Sequence, residues 1–333
     1  MSFYKTSEIE ASSVRGILIA VSILLTFPSV VSAAEAYPKR PLRAIVAVSP
    51  GGSNDFVARS IATKLSERIG EQVVVINRAG GGGVIGYDSA ARSTPDGYTM
   101  VLASASYATL AATRKTPYDP IKSFAPIAKL GSGPFLLIVN SSLPAKSVKE
   151  LIALAKQTPG ELIMASGEVA SAPHLGTVLF LKLTGIDMRV VPFKGGGPAL
   201  IDILGGHSNA SFSNIVQAMP HIKSGRLRPV GTGGLKRSVL LPDVPTIAEA
   251  ANLPGFENAN WWSFLAPAGT PTPIVNRLAN EFKLILELDE VKKWFLNAGG
   301  DAGYLGPAEL GRFMKQEIAK FQRIAKEANV KLD

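Results

Sequence analysis

Two glycine-rich segments each join an apolar run of strand character to a stretch with helical spacing: Pro50-Gly51-Gly52-Ser53-Asn54-Asp55 and Phe193-Lys194-Gly195-Gly196-Gly197-Pro198-Ala199. The runs before them are LRAIVAV from Leu42 and MRVV from Met188. A strand that turns directly into a helix is the building unit of layered α/β folds. Two such junctions more than a hundred residues apart therefore predict two lobes. The start of a helix leaves about four backbone N–H groups without intrahelical partners and carries about half a unit of positive charge. Such an end attracts a carboxylate or phosphate, and glycine lets the ligand come close to the backbone. Two of them suggest a grip on one anion, or one dianion, from both sides.

The spacing around these junctions repeats. Val57, Ile61, Leu65 and Ile69 share one face of a helix that stops at Gly70, between strands at Leu42–Val48 and Val73–Ile76. A further helix is predicted over Gly86–Ser93, a turn at Pro95-Asp96-Gly97 and a strand over Thr99–Ala103. The second half repeats the order, with helices over Val148–Gln157 and His174–Leu183 and strands over Leu162–Ala165 and Arg189–Pro192. Two long helices close the chain. One starts at Thr270-Pro271-Thr272-Pro273 and runs toward Leu288; the other starts at Pro307 and lines up Leu310, Met314, Ile318, Phe321 and Ala325. The fold class is α/β, two lobes each with a mixed, mainly parallel sheet flanked by helices.

Residues 1–36 lie outside that pattern. GILIAVSILLTFPSVVSA after Arg15, ending in small residues from Ser32 to Ala36, reads as a secretory signal cleaved near Ala34 or Ala36, with a single membrane anchor as the rival reading. Its first residues depart from the usual pattern, because Lys5 and Arg15 are balanced by Glu8 and Glu10. Cleavage after Ala36 would remove Lys5, Arg15, Glu8, Glu10 and Glu35, raising the formal charge from +9 to +10. This surplus favours an anionic partner. Basic residues are dispersed among acids with no basic run or interleaved aromatics, which argues against nucleic acid. The absence of cysteine excludes disulfides, thiolate metal sites, Cys nucleophiles and a lipidated N-terminal Cys.

Enzyme chemistry finds little support. Gly81, Gly83 and Gly86 fit G-x-G-x-x-G after a strand, but Asn77-Arg78-Ala79-Gly80 intervenes and no acid ends the next strand. The three histidines, His174, His207 and His221, are too far apart for a metal pair at helical spacing. There is no G-x-S-x-G elbow and no P-loop lysine. No metal, cofactor or catalytic residue is expected.

Ligand contacts are predicted at the two loops and at neighbouring strand ends. In the first loop, backbone N–H groups of Gly52, Ser53, Asn54 and Asp55 are expected to face the ligand, with Gly51 in the turn and the Asp55 carboxylate turned away to shape the loop. In the second loop Gly195, Gly196 and Gly197 precede Pro198, read as the first helical residue, while Lys194 either attracts the acid or faces solvent. Ser104, Ser106 and Tyr107 follow one strand, and Ser166-Gly167 with Ser171 follow another, where hydroxyls either bind a carboxylate or cap helices.

In order and spacing, PGGSND, INRAGGGGVIG, PDGYTMVLAS, YDPIKSFAPIAKL, the HL pair at His174, VPFKGGGPAL, LPDVPTIAEA and APAGTP resemble the Bug-type substrate-binding receptors of tripartite tricarboxylate transporters. The resemblance runs from about Tyr37 to the C-terminus. It implies a periplasmic, two-lobe binding-protein fold (type II-like) and no catalytic step. Lobe 1 is implied at 37–137 plus 262–333 and lobe 2 at 138–261, with crossings near Phe135–Asn140 and Trp261–Pro267. It further implies a monomer that closes on a small organic acid and delivers it to a large and a small membrane subunit. Asn214, Trp261 and Trp262 enter as cleft residues on the same basis, and His174 of the HL pair is either a ligand contact or a packed, hydrogen-bonded structural histidine. The rival is a receptor that presents itself to a sensor.

Overall fold

Residues 37–297 and 299–327 are described by a computed structural model; the expected signal segment and the rival anchor lie outside the described residues. In chain order the first elements are β1 (Leu42–Val46), α1 (Ser53–Ile69), β2 (Val73–Asn77), α2 (Val84–Ala91), β3 (Thr99–Ser104), α3 (Ala105–Thr113) and β4 (Phe124–Asn140). There follow α4 (Val148–Gln157), β5 (Ile163–Ser166), α5 (Ala172–Thr184), β6 (Arg189–Pro192), α6 (Gly196–Leu204), β7 (Ala210–Asn214), α7 (Ile215–Lys223) and β8 (Leu227–Thr232). The chain continues with α8 (Ile247–Ala251), β9 (Ala259–Pro267), α9 (Thr272–Glu287), α10 (Asp289–Asn297), β10 (Asp301–Leu305) and α11 (Pro307–Glu327). No helix among the described residues is long and apolar enough to cross a membrane.

β1 is apolar at nearly every position because it is buried on both faces, the mark of a parallel strand under helices. It pairs in parallel with β2, Leu42 opposite Val73, and with β3, Arg43 opposite Thr99. β9 then lies antiparallel between β3 and β4. The 17-residue β4 serves two sheets. Up to Pro134 it pairs with β9 and β10, and from Phe135 it pairs with β7 and β8. The second sheet continues through β5, parallel to both β7 and β6.

Both sheets are mixed, as expected, and the parallel pairs are the β-α-β units read from the spacing. The antiparallel share is larger than that reading indicated, since β4 and β9 enter against their neighbours. Pro126, Gly131, Gly133 and Pro134 punctuate β4, with bulges between Pro126 and Ala128 and between Lys129 and Gly131, so no simple alternation marks it as a strand. Glycine is required here by close approach. A Cβ at Gly131 would lie 2.5 Å from the Asp301 carbonyl oxygen, and one at Gly133 would lie 3.1 Å from Gly300 Cα.

The terminal helices behave as their spacing predicts. Leu310, Met314, Ile318, Phe321 and Ala325 are buried, and α11 packs on α3 and β4 while α9 packs on α1. Beneath α3, Tyr87, Tyr107, Tyr118 and Phe124 form an aromatic cluster with mostly edge-on contacts.

Candidate functional site

Gly51 turns the chain out of β1 with φ +85°, and Gly52 stands at the N-cap of α1 without any side-chain cap. The N–H groups of Ser53, Asn54 and Asp55 therefore begin a helix with no acceptor inside it. Asp55 is buried and its carboxylate does shape the loop. It accepts from Gly51 N–H at 3.1 Å, Arg59 Nε at 3.0 Å and Asn77 Nδ2 at 2.8 Å, and Asn77 Oδ1 in turn accepts from Arg59 at 2.8 Å. Burial pushes the Asp55 carboxyl up, but the bonds from Arg59, Asn77 and Gly51 outweigh it and hold the group below the usual carboxylate range. The Asn54 side chain is likewise engaged. Its Nδ2 donates to Ser104 Oγ at 3.1 Å, while its Oδ1 accepts from Trp262 Nε1 at 2.9 Å and Asn260 Nδ2 at 3.2 Å. Asn260 Oδ1 accepts from Ala105 N–H at 3.2 Å, which ties β9 to the start of α3.

At the second junction Gly195 adopts φ +122° as the N-cap of α6, again with no side-chain cap. The helix begins at Gly196, so Pro198 is its third residue and not the expected first. Its missing N–H still costs nothing, because the third position has no intrahelical acceptor either. Gly196 and Gly197 supply the donors, since Gly195 N–H is used by Phe193 O at 2.8 Å. Lys194 is exposed.

Gln217 in α7 touches both loops. Its Nε2 donates to Gly51 O at 3.4 Å, and a Cβ built on Gly196 would lie 3.1 Å from its Oε1. Around this pair the loop after β5 meets the elements of the first sheet. Ser106 Oγ accepts from Ala172 N–H at 3.3 Å, Thr109 Oγ1 donates to Ala170 O at 2.5 Å, and Gly82 N–H reaches Glu168 Oε1 at 3.1 Å. Ala170 has φ +67°, an unusual backbone for a residue with a Cβ, held by that threonine.

Other predicted residues fall into distinct roles. Ser104 is fully buried at the N-cap of α3 and receives Asn54; Ser166 is fully buried at the end of β5, its hydroxyl donating to Gly167 O at 3.0 Å. Gly167 makes room for Ser171, whose Oγ caps α5 by accepting from His174 N–H at 3.4 Å. Asn214 ends β7 as the N-cap of α7, its side chain making no capping bond to the helix. His174 Nδ1 is buried with no hydrogen-bond partner among the described residues. Burial, helped by the Arg114 charge, lowers its pKa and keeps the ring neutral. Tyr107 is a correction. It is 1% exposed, its hydroxyl donates to Pro120 O at 2.5 Å, and it packs in the aromatic cluster, so neither ring nor hydroxyl reaches the cleft. Gln217 and Asn260 were missed, because their contacts with the first loop arise from tertiary pairing and carry no spacing signal.

The model of the tripartite tricarboxylate transporter family receptor matches residues 57–330. BugT of Bordetella pertussis is 37% identical over 302 residues, covering 90% of this chain and 92% of that protein. Rpa4515 of R. palustris, solved with adipate, has a TM-score of 0.84 at 35% identity over 88% of this chain and 98% of its own. MatC of Rhodopseudomonas palustris, solved with bound malate, has a TM-score of 0.81 at 29% identity over 86% of this chain and 99% of its own. This chain belongs to the tripartite tricarboxylate transporter family receptors, periplasmic solute-binding proteins and not enzymes.

Proposed function

We propose that the chain captures a small carboxylate between the uncapped starts of α1 and α6 and delivers it to a tripartite tricarboxylate-type membrane transporter, with a large and a small membrane subunit as partners. The observation that carries this reading is the convergence of both glycine loops on Gln217. Backbone donors at two helix starts neutralise a carboxylate without a fixed lysine, which keeps capture reversible. Hydrogen bonds to a charged group contribute about 1.5 to 3 kcal/mol each. Four or five of them, less the cost of closure and ordering, are compatible with about micromolar affinity, which corresponds to roughly 8 kcal/mol. Adipate and malate in the two solved relatives support a dicarboxylate as the substrate class. The unpaired, neutral His174 Nδ1 supports a further polar contact in the cleft. The sheet switch between Pro134 and Phe135 supports lobe boundaries near 37–137 with 262–333 and near 138–261.

A thermal-shift panel of mono-, di- and tricarboxylates tests capture. A ligand at a hundredfold excess over its Kd stabilises the folded state by about 2.7 kcal/mol, a shift of several degrees. If no carboxylate in the panel raises the melting temperature, carboxylate capture is abandoned. Delivery is tested by uptake of the captured acid in cells lacking this chain; undiminished uptake removes the transport role.

A further inference from the structure

Side chains alternate across β9, so Asn260 and Trp262, which reach Asn54, leave Trp261 on the opposite face of the sheet. On that face lies a cavity of about 270 Å³, just under the range of ligand pockets, which run from about 300 Å³ upward. Lys129 from β4, Trp261 from β9, Asp301 from β10, Phe313 and Glu317 from α11 and the segment 234–239 after β8 line it.

Two acids of this cavity, Glu257 and Glu317, are engaged, and one of its cations, Lys129, is not. Glu317 accepts from Trp261 Nε1 at 2.9 Å and from Lys320 Nζ at 3.0 Å, and Lys320 also holds Glu257 at 2.7 Å. The Lys129 ammonium makes no hydrogen bond or ion pair with a described residue. Its ammonium stands 5.5 Å from the Phe313 ring centroid, and Glu317 and Asp301 act on it only through space. Burial lowers its pKa, the signature of a cation short of solvation. A bound anion would supply what the protein withholds. Glu317 nearby disfavours a second negative charge on that ligand. Among these polar groups Trp261 and Phe313, edge to face at 5.3 Å, form one apolar wall, and Leu235 and Val239 stand exposed at the mouth.

We propose that this cavity is a second ligand site, on the opposite face of the crossing strands from the glycine loops, for a small monocarboxylate with an apolar body. The carboxylate pairs with Lys129 and the body lies against Trp261 and Phe313. The inference rests on residues outside the clamp and stands or falls separately from it.

Benzoate is a suitable probe and benzyl alcohol its uncharged control. Lysines of the unchanged protein are acetylated with and without millimolar benzoate, and modification at Lys129 is read by peptide mass spectrometry. The expected result is about tenfold protection of Lys129 by benzoate, the scale of one charge-assisted bond, and none by benzyl alcohol. The protection persists in Gly52→Val, which blocks the clamp, so benzoate captured there is not mistaken for this site. Equal labelling with and without benzoate overturns the proposal, as does protection that disappears in Gly52→Val. Calorimetry on Lys129→Met, checked for folding, should lose benzoate binding in the Gly52→Val background; unchanged affinity also overturns it. If Lys129→Met does not fold, the labelling of the unchanged chain decides alone.

Discussion

The first glycine loop is buttressed by side chains and the second is not. At the start of α1, the buried Asp55 carboxylate ties Gly51, Arg59 and Asn77 together, and Asn54 fastens the same turn to Ser104, Asn260 and Trp262. At the start of α6, no described side chain hydrogen-bonds the turn; it is held by backbone bonds from Phe193 N–H to Ser166 O and from Gly195 N–H to Phe193 O. A braced turn offers donors in one fixed arrangement, so an acid captured as proposed would be positioned there at little ordering cost. An unbraced turn adjusts to what remains of the ligand. If the proposed capture holds, the contrast teaches a division of labour: one helix start would anchor the common carboxylate while the other would accommodate differences between acids.

The largest effect should come from removing the brace. Asp55→Ala leaves the Gly51 N–H without its acceptor and Asn77 Nδ2 with only Val48 O, and should lower stability by about 2 to 3 kcal/mol, seen in urea unfolding, with binding reduced more than about tenfold by calorimetry. A stability loss under about 1 kcal/mol would erase the contrast between the loops. Next come Gly52→Val and Gly197→Val. A Cβ at either position meets nothing within 4 Å, so the added bulk enters open space in front of the donors. Both should weaken binding by about tenfold or more, roughly 1.4 kcal/mol, while stability changes by about 1 kcal/mol or less. Normal affinity in Gly197→Val alone would mean that only the braced loop grips the ligand.

A smaller effect follows from pH. The folded His174 ring has a lowered pKa, so below its unfolded value of about 6.5 the unfolded chain takes up a proton that the folded chain resists. Stability therefore falls as pH drops from 7 toward 5, and His174→Gln should flatten that slope in urea titrations. Asp55 acts at lower pH. Its stabilisation is fully present above about 3.9, the unfolded value, and is lost as pH falls toward the depressed folded value. The smallest effect is assigned to Lys194→Ala, about 1 kcal/mol or less in binding, as for any exposed charge. A greater loss there, with normal affinity in both valine variants, would replace backbone capture by a lysine anchor.

The two junctions, the α1 face carrying Val57, Ile61 and Leu65, and the stripe of α11 were legible because each is a local pattern with one period. The β4 strand was not, since prolines, glycines and bulges break its alternation, and neither was β9, which is buried at all but its first position and so alternates nowhere. Ser106 and Tyr107 show how a site is blurred at single-residue scale. The chain enters α3 at Ala105, so consecutive side chains diverge by about 100°. Ser106 meets the loop before α5 while Tyr107 turns into the core. The brace around Asp55 was legible only in sign: its carboxylate was expected to avoid an anion, but Asn77 as partner lies 22 residues away and needs the parallel pairing of β1 with β2 to arrive.

Because β4 pairs with β9 along most of its length, the first sheet is completed only by residues made more than a hundred positions later, Gly133 opposite Asn260. As the chain emerges in order, β5 through β8 have all their partners before β9 exists. The second sheet is therefore free to assemble early, as an insert, while the first waits with β3 and the first half of β4 as open edges. Long loop closure slows such pairing, and open edges invite association with other chains. Folding should run from the middle of the chain outward, and a chain truncated before Ala259 should aggregate through the exposed β3 and β4 edges.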